Sequence, residues 1–305
     1  MPRTARWSSG SWPRCRWPGW WRWSSGQSVG GKVRVERLPL REAVEDGVEA
    51  LVLLGLVLAV GVDRQAEGEL SRLLTSAGGG IVVGEESVHD DASVLQELPT
   101  AELAWVIDPI DGTKNYVNGS THHAVMIAEV QHGVTTRSWI WQPQLGHMWI
   151  AERGNGLVCD GEPVTSNQRH PAPETIEPDV PGSAQLLDLP DSAHPVAANR
   201  NVVRAVTAYP HNRRSDASLT WSEAHSCCGV DYPLICLGEQ DVACWFHIHP
   251  WDHLPGALMV TECGGVVRVA GGADYSARHT EQRGVIIAAR DERSWRIAAQ
   301  SLEDD

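Results

Sequence analysis

The sequence predicts a mixed α/β fold, and three observations carry this prediction. Apolar residues recur at helical spacing in several segments of the 305-residue chain. Between these segments lie short apolar runs bounded by turn residues, which are typical of buried strands. After residue 123, three such runs follow one another with only turns between them, so part of the sheet should be antiparallel. A chain of this length can bury a substantial core.

Residues 1–37 differ in composition from the rest of the chain. Six tryptophans, from Trp7 to Trp23, are mixed with Arg, Ser, Gly and Pro without a helix or strand period. We expect a disordered extension or a translation artefact, and the alternative is a basic aromatic segment that binds an anionic surface. From residue 38 to 52, apolar residues at helical spacing predict the first helix.

Asp63 opens the next predicted helix. Its carboxylate is either a helix N-cap or a group that points into a site. Three glycines at 78–80 end this helix, and residues 81–83 predict a short buried strand. Glu85 and Glu86 follow, and adjacent residues of an extended strand point to opposite faces. At most one of them would then share a site with later carboxylates, and a solvated turn is the alternative.

The stretch WVIDPIDGTKNY, residues 105–116, is the most informative part of the sequence. Its apolar start predicts the end of a buried strand, with Asp108 at the carboxyl end and Asp111 three residues later. The proline between them favours an extended backbone, and Gly112 with Thr113 indicates the first turn of a helix. Carboxylates attract Mg²⁺, and unpaired N–H groups at a helix start attract phosphate. The elbow therefore predicts metal-assisted phosphate chemistry.

The chain after this elbow first forms a predicted meander and then a linker. Three consecutive strands are predicted at 124–130, 137–141 and 148–151. Residues 167–192 are rich in Pro, Asp, Glu and Ser, which indicates a loop or a domain linker. We therefore expect an atypical extension, an N-terminal α+β metal-binding domain and a C-terminal α/β domain, at 1–37, 38–166 and 167–305.

The second α/β block alternates again between helices and strands. Helices are predicted at 227–237, 251–262 and 294–301, and strands at 241–246, 266–269 and 284–288. Asp252 lies at the start of one of these helices, within the sequence PWDHLPGALMVTECGG. A proline in the first helical turn keeps the helix start near Asp252. This aspartate is either a plain N-cap or a group that belongs to the site.

Charge and cysteine usage narrow the class of function. The formal net charge is −14, which argues against nucleic acid as the main partner, because phosphate backbones bind Lys and Arg. Seven scattered cysteines without a CxxC pair favour reduced thiols and a cytoplasmic location. The longest apolar run, 50–62, is shorter than the roughly 20 residues that span a bilayer, so we expect no membrane association.

Three motifs occur in a fixed order along the chain: EES at 85–87, DPIDGT at 108–113, and Trp251-Asp252 followed by ECGG at 262–265. Together they resemble the inositol monophosphatase family, over roughly residues 60–305. The resemblance implies a Mg²⁺-dependent phosphomonoesterase that acts on a small phosphorylated substrate. It implies the layered α-β-α-β-α sandwich of the inositol monophosphatase and fructose-1,6-bisphosphatase type, and a homodimer.

The resemblance also implies, motif by motif, which groups would hold two Mg²⁺ ions. The first ion would be bound by Glu85, Asp108 and the Ile110 carbonyl, and the second by Asp108, Asp111 and Asp252. Asp63 would help to hold a weaker third ion. Two metals suit a phosphate monoester because they neutralise its charge and stabilise both the attacking and the leaving oxygen.

Catalytic and substrate-binding residues follow from the same resemblance. Thr113, with Glu85 or Asp63, would orient the attacking water. The substrate contacts would be Asp111, Gly112, Thr113, Cys228 and Trp245. Trp245 replaces the acidic residue that the family usually carries seven positions before Asp252, and Ser226-Cys227-Cys228 replaces a segment of small residues. Sugar, polyol, histidinol and nucleotide phosphates therefore stay open beside inositol phosphate.

Two other classes of function compete with the phosphatase. The first is a non-catalytic or degenerate relative that binds phosphate or a partner without turnover, which the unusual first 60 residues would suit. The second is a transition-metal binding module built on His247, His249 and His253, because imidazole favours Zn²⁺ or Ni²⁺ over Mg²⁺. These histidines would otherwise line the pocket mouth or contact the substrate.

Overall fold

The computed structural model describes residues 63–164, 202–209, 213, 215, 217–280 and 283–303. Three predictions lie outside the described residues: the extension at 1–37, the helix at 38–52 and the linker at 167–192. The described residues fall within one compact unit, Leu40–Asp305. The change from the first sheet to the second falls between Val164 and Val203, and the domain boundary at 166/167 stays a prediction.

Helices and strands alternate along most of the described chain. The helices are α1 Asp63–Gly78, α2 Glu85–Asp90, α3 Val94–Glu97, α4 Thr113–Val117, α5 Cys228–Cys236, α6 Pro250–Glu262 and α7 Glu292–Glu303. The strands are β1 Ile81–Gly84, β2 Ala104–Asp111, β3 Ala124–Gln131, β4 Val134–Gln142, β5 His147–Glu152, β6 Gly156–Cys159, β7 Glu162–Val164, β8 Val203–Thr207, β9 Leu219–Glu223, β10 Val242–His247, β11 Val266–Val269 and β12 Arg283–Ala289. None of these described helices combines the length and the apolar character that a membrane span needs.

The first sheet contains strands β1 to β7 in chain order. Strand β1 runs parallel to β2, with Gly84 opposite Ile107, and the later neighbours are antiparallel. The predicted meander is therefore confirmed, as β3 to β5. Because β1 and β2 are parallel, their carboxyl ends lie at the same edge of the sheet. Glu85 and Asp108 each come directly after the last pair, Gly84 and Ile107, and so lie at that edge.

Alternate residues of β2 point into two different apolar layers, as the two-residue period of a strand requires. Val106 belongs to the central cluster of the molecule. Trp105 and Ile107 belong to a second cluster, together with Leu70 and Leu74 of α1. Helix α1 therefore covers the outer face of the first sheet, and the other face points inwards.

The second sheet has the strand order β11-β12-β10-β8-β9 and is also apolar on both faces. Cys244 and Ile287 pack in one cluster with Ala298 of α7. Ala243 and Ile286 point the other way, into the central cluster. Helix α7 therefore covers the outer face of the second sheet. The inner face of the second sheet packs into the central cluster, as the inner face of the first sheet does.

Helix α6 fills the space between the two sheets. It packs against strands β2 to β6 on one side and β11 and β12 on the other. Leu254, Leu258 and Met259 are almost completely buried, as expected of a helix that is apolar nearly all round. The layer order is α1, first sheet, α5 with α6, second sheet and α7. This confirms the predicted α-β-α-β-α sandwich.

Glu85 and Glu86 do not lie on a strand, so the prediction that they point to opposite strand faces was wrong. Strand β1 ends at Gly84, and α2 begins at Glu85. The carboxylate of Glu67 accepts hydrogen bonds from the N–H groups of Glu86 (2.8 Å) and Ser87 (2.7 Å). These two N–H groups have no partner within a helix, so an acceptor on α1 stabilises the helix start.

Four strands of the structure were not predicted from the sequence: β6, β7, β8 and β9. Each has only three to five residues. Strands β6 and β7 lie among glycines that indicate turns, and β8 and β9 pair in parallel with each other. Strands this short contain too few residues to show a two-residue period, so their local patterns are weak.

We predict that Gly256→Ala destabilises the protein. Gly256 lies within α6, and a Cβ atom there would overlap the ring of Tyr232. Relief of this overlap requires a shift of α6 against α5, and overpacking typically costs about 1–3 kcal/mol. The free energy of unfolding from urea titration measures the effect.

Gly68→Ala is the matched control because Gly68 lies in α1 with open space around its Cα. There the gain in helix propensity should stabilise the protein by roughly 0.5–1 kcal/mol. Equal effects of the two substitutions would contradict the close packing between α5 and α6.

Candidate active site

An irregular stretch of β2 brings its two aspartates to the same side. In a regular strand, residues three apart point to opposite faces. Here the pairing with β3 shifts register between Asp108, opposite Met126, and Asp111, opposite Ala124. Pro109 has no N–H group to donate to the ladder, so it suits this interruption. The interruption lets the two carboxylates approach each other.

Gly112 and Thr113 complete the predicted elbow and begin α4. Gly112 has a left-handed backbone with φ of 80°, and a Cβ atom there would lie 2.9 Å from the His122 carbonyl oxygen. Only glycine meets both conditions easily. The Thr113 hydroxyl donates a hydrogen bond to the Ile110 carbonyl at 2.9 Å. The elbow is therefore held by its own residues.

Asp252 lies in the first turn of α6, as predicted. Pro250 is the first residue of this helix, and His249 is its N-cap. The Oδ2 atom of Asp252 lies 3.2 Å from His247 Nε2 and 3.5 Å from His249 Nδ1. Burial acts to raise the pKa of Asp252, but the hydrogen bonds with the two imidazoles outweigh it and hold that pKa below its usual range.

The structure brings together Asp108, Asp111 and Asp252, with one oxygen of each carboxylate within 4.8 Å of the others. Asp108 and Asp111 are 3% and 7% exposed. Burial and then the charges of the other two aspartates raise the pKa of Asp108 well above its usual range. Burial and then the charge of Asp252 raise the pKa of Asp111 to about 7.

The fit of these residues to a metal ion follows from their chemistry and spacing. Oxygen atoms on one Mg²⁺ lie at most about 4.2 Å apart, so small side-chain movements would close the group around a cation. A divalent cation would also offset the burial and the repulsion that raise the two pKa values. The cluster therefore fits the metal that the sequence predicts.

Glu85 lies at the start of α2, at the same sheet edge as Asp108. Its negative charge contributes to the raised pKa of Asp108, so the two carboxylates are close enough to interact. Glu85 is exposed to solvent, and its α2 backbone is fixed by Glu67. Asp63 begins α1, but its side chain lies outside what the structure describes.

The segment that the sequence assigned to the substrate wall instead contacts Asp111. The Gly229 N–H donates to Asp111 Oδ2 at 2.5 Å, and the Cys227 thiol lies 3.0 Å from the same oxygen. A Cβ atom at Gly229 would overlap Ala124 of β3. This segment therefore positions a candidate metal ligand.

Cys228 and Trp245, two predicted substrate contacts, are 5% and 4% exposed and lie in the central apolar cluster. The Trp245 ring stacks on Tyr232, with ring centres 4.7 Å apart. Their predicted contact with substrate therefore gains no support from the structure. A match of position to a family motif does not show whether a side chain is exposed.

The three histidines of the HxHxxxH pattern occupy two different environments. His253 is completely buried; its ring nitrogens lie 3.1 Å from the Tyr232 hydroxyl and 2.9 Å from the His247 carbonyl oxygen. Burial lowers the pKa of His253 to about 3. His247 and His249 instead reach Asp252 with partly exposed rings. Only these two are placed to bind a metal or a substrate.

Sequence reasoning missed two residues that position the site. Glu67 was not predicted, although its spacing of four residues from Asp63 on a predicted helix was the available signal. Asn115 donates from Nδ2 to the carbonyl oxygens of His122 and His225, both at 2.8 Å. It thereby ties the elbow to the segment before α5, a contact that no local pattern indicates.

Comparison with known proteins identifies the family of this chain. Residues 58–304 match the Inositol monophosphatase family. The chain is 28% identical to inositol-1-monophosphatase ImpA of Mycolicibacterium smegmatis, over 76% of this chain and 75% of that protein. It is 29% identical to human inositol monophosphatase 1, over 62% of this chain and 63% of the human protein, slightly less than two thirds of it. It is also 28% identical to Nus factor SuhB of Escherichia coli, over 75% of this chain and 79% of that protein.

Solved structures share the fold. The Thermotoga maritima IMPase superposes with a TM-score of 0.62 and 17% identity, over 86% of this chain and 99% of that one. A dual specific IMPase/NADP phosphatase bound with D-inositol-1-phosphate gives a TM-score of 0.63 and 13% identity, over 86% and 95%. At these identities the likeness shows the fold alone.

The family match covers most of the chain, and it includes the elbow at 108–113 and the start of α6. The matching fold and the converging aspartates agree with it. The chain belongs to the inositol monophosphatase family, a family of phosphoric monoester hydrolases.

Proposed function

We propose that this chain hydrolyses small phosphate monoesters with the help of Mg²⁺. The observation that carries the proposal is the convergence of Asp108, Asp111 and Asp252 in one group, of which Asp108 and Asp111 are buried. Burial and mutual repulsion both disfavour these charges without a cation, and family membership supports phosphate ester chemistry. A dianionic phosphate could not approach these carboxylates without cations between them.

Each group of the site has a proposed task. Mg²⁺, when bound, polarises the phosphate oxygens and lowers the pKa of a bound water. Asp108, Asp111 and Asp252 would hold the ions, with Glu85 and the Ile110 carbonyl as further ligands, and Asp63 at a weaker third position. Thr113, with Glu85 or Asp63, would orient the attacking water, and the carboxylate would accept its proton. The backbone N–H groups of Gly112 and Thr113 would bind phosphate oxygens.

Inositol phosphate or a related sugar or polyol phosphate is our first candidate substrate. Solved structures of the fold include one bound with D-inositol-1-phosphate, one bound with 2′AMP and one complexed with NADP. Nucleotide phosphates are therefore the next candidates, and histidinol phosphate stays open from the family resemblance. Phosphate release from a panel of these esters, with and without Mg²⁺, tests the proposal. Folded protein that releases phosphate from none of them would contradict it.

A second candidate is a partner-binding role without turnover. The relatives include a protein named Nus factor SuhB, which favours this candidate. Calorimetry with Mg²⁺, run beside the phosphate assay, separates the two. Metal binding with turnover supports the enzyme, and folded protein that lacks both supports the degenerate relative.

We also propose a cytoplasmic homodimer. The described cysteines, which are Cys159, Cys227, Cys228, Cys236, Cys244 and Cys263, form no disulfide with one another. This fits a reducing compartment. The homodimer follows from the family resemblance, and light scattering on purified protein should give twice the mass of one chain. A single-chain mass would contradict it.

Asp108→Asn should abolish turnover while the fold is kept. The substitution preserves size but removes the charge that both proposed ion positions share. Loss of outer partners of metal ligands already costs roughly 10–100-fold, so we expect phosphate release to fall by at least about 100-fold. Asp274→Asn, an exposed aspartate paired with Arg268, is the matched control and should keep activity. Full activity of Asp108→Asn would refute the shared ligand.

Mg²⁺ should raise the thermal unfolding midpoint more at about pH 8 than at about pH 5. The pKa of Asp111 is about 7 in the folded chain because of burial and then the charge of Asp252, against an ordinary value of 3.8. Between pH 3.8 and about pH 7 the folded state therefore binds more protons than the unfolded state. The stability of the metal-free protein consequently falls as the pH rises through this range. Mg²⁺ binds the ionised carboxylate, so it competes with these protons.

Scanning calorimetry at both pH values checks this prediction, with Asp111→Asn as the test variant. The substitution should reduce the Mg²⁺-dependent shift and flatten its pH dependence. A shift that is equal at the two pH values, or unchanged in the variant, would count against a metal at Asp111.

A further inference from the structure

A bulge in β10 turns His247 away from the core and towards Asp252. Trp245 and His247 are two positions apart, so a regular strand would place both on one face. The pairing of β10 with β12 shifts register between these two residues. Trp245 is 4% exposed in the core, whereas the His247 side chain is 45% exposed. Bulges commonly re-aim a side chain next to an active site.

His249 is held on the other side of the same carboxylate. It is the N-cap of α6 and its ring stacks on Trp251, with ring centres 4.9 Å apart. The rings of His247 and His249 lie 5.1 Å apart. Both rings therefore face Asp252 from rigid elements, and both keep part of their surface in solvent.

The spacing of these three groups matches the ligands of a transition metal. His247 Nε2 and His249 Nδ1 lie 3.2 and 3.5 Å from Asp252 Oδ2. Each of the three residues also offers one possible ligand atom within 4.8 Å of those of the other two. Two ligand atoms at about 2.0–2.1 Å from a tetrahedral Zn²⁺ lie about 3.3 Å apart. Solvent reaches the group, so a water can take the fourth position.

We propose that His247, His249 and Asp252 form a second kind of cation position, which binds a divalent transition metal such as Zn²⁺ beside the oxygen-only group. Imidazole nitrogens favour such metals, whereas carboxylates alone suit Mg²⁺. Asp252 would belong to both groups, because it is also within 4.8 Å of Asp108 and Asp111. The proposal rests on the proposed function only for the identity of the neighbouring Mg²⁺ position.

Histidine ring nitrogens report the binding directly. Chelator-treated protein with ¹⁵N-labelled histidine is titrated with Zn²⁺ in excess Mg²⁺, and long-range ¹⁵N–¹H spectra are recorded. A His147→Gln background removes the other described group with a ring nitrogen, His147 with Cys159 and Asp160. We expect metal-bound shifts at Nε2 of His247 and Nδ1 of His249, with one Zn²⁺ per chain.

Single substitutions test the assignment. His247→Gln and His249→Gln should each weaken Zn²⁺ binding by at least about tenfold, measured by calorimetry in excess Mg²⁺. His89→Gln, at an exposed position near the end of α2, is the matched control and should bind as the background does. Unchanged Zn²⁺ affinity in both single variants would overturn the proposal.

The spectra of the His147→Gln background protein test whether His247 and His249 bind Zn²⁺, even where a further variant fails to fold. Ring nitrogens of His247 and His249 that keep their metal-free shifts at saturating Zn²⁺ would mean that the imidazoles only hydrogen-bond Asp252. These readouts are separate from phosphate release. Zn²⁺-induced shifts without Mg²⁺-dependent turnover would support this Zn²⁺ position and refute the phosphatase. Mg²⁺-dependent turnover without Zn²⁺-induced shifts would support the phosphatase and refute this Zn²⁺ position.

Discussion

Repulsion among the clustered carboxylates of Asp108, Asp111 and Asp252 is the constraint on which the rest of the structure depends. Asp108 and Asp111 lose most of their contact with water, and each raises the cost of ionising its neighbours. The fold counters this locally, since the Ile110 N–H donates to Asp108 at 2.9 Å and the Gly229 N–H donates to Asp111. These bonds fix the oxygens but do not cancel the charge. We therefore propose that a cation completes the group and that the chemistry takes place there.

The layered architecture makes this convergence possible. Strand β2 lies in the first sheet, and α6, which carries Asp252, is the helix between the two sheets. The parallel pair β1 and β2 brings the start of α2 to the same edge. Each proposed ligand therefore lies on a packed element or at its end, so the apolar layers set the geometry of the polar group. Gly256 of α6 packs closely on Tyr232 of α5, and Gly229 of α5 packs closely on Ala124 of β3. These contacts fix α5 and α6 relative to the aspartates.

The parts of the site that the sequence predicted are those with local causes. Proline and glycine shape the elbow at 108–113, and a proline marks the start of α6 near Asp252. The parts that it missed depend on distant residues. Glu85 begins a helix because Glu67, on another element, binds the N–H groups of that helix. His247 reaches Asp252 because the partner strand of β10 shifts register. The burial of Trp245 and Cys228 likewise depends on packing, which a motif match does not contain.

Anomalous diffraction from crystals soaked with Mn²⁺, a substitute for Mg²⁺, tests the central claim most directly. The account predicts a strong peak among Asp108, Asp111 and Asp252, at about 2.0–2.4 Å from an oxygen of each carboxylate. Peaks only at other places, or carboxylates that turn away from one another in a metal-loaded crystal, would contradict it.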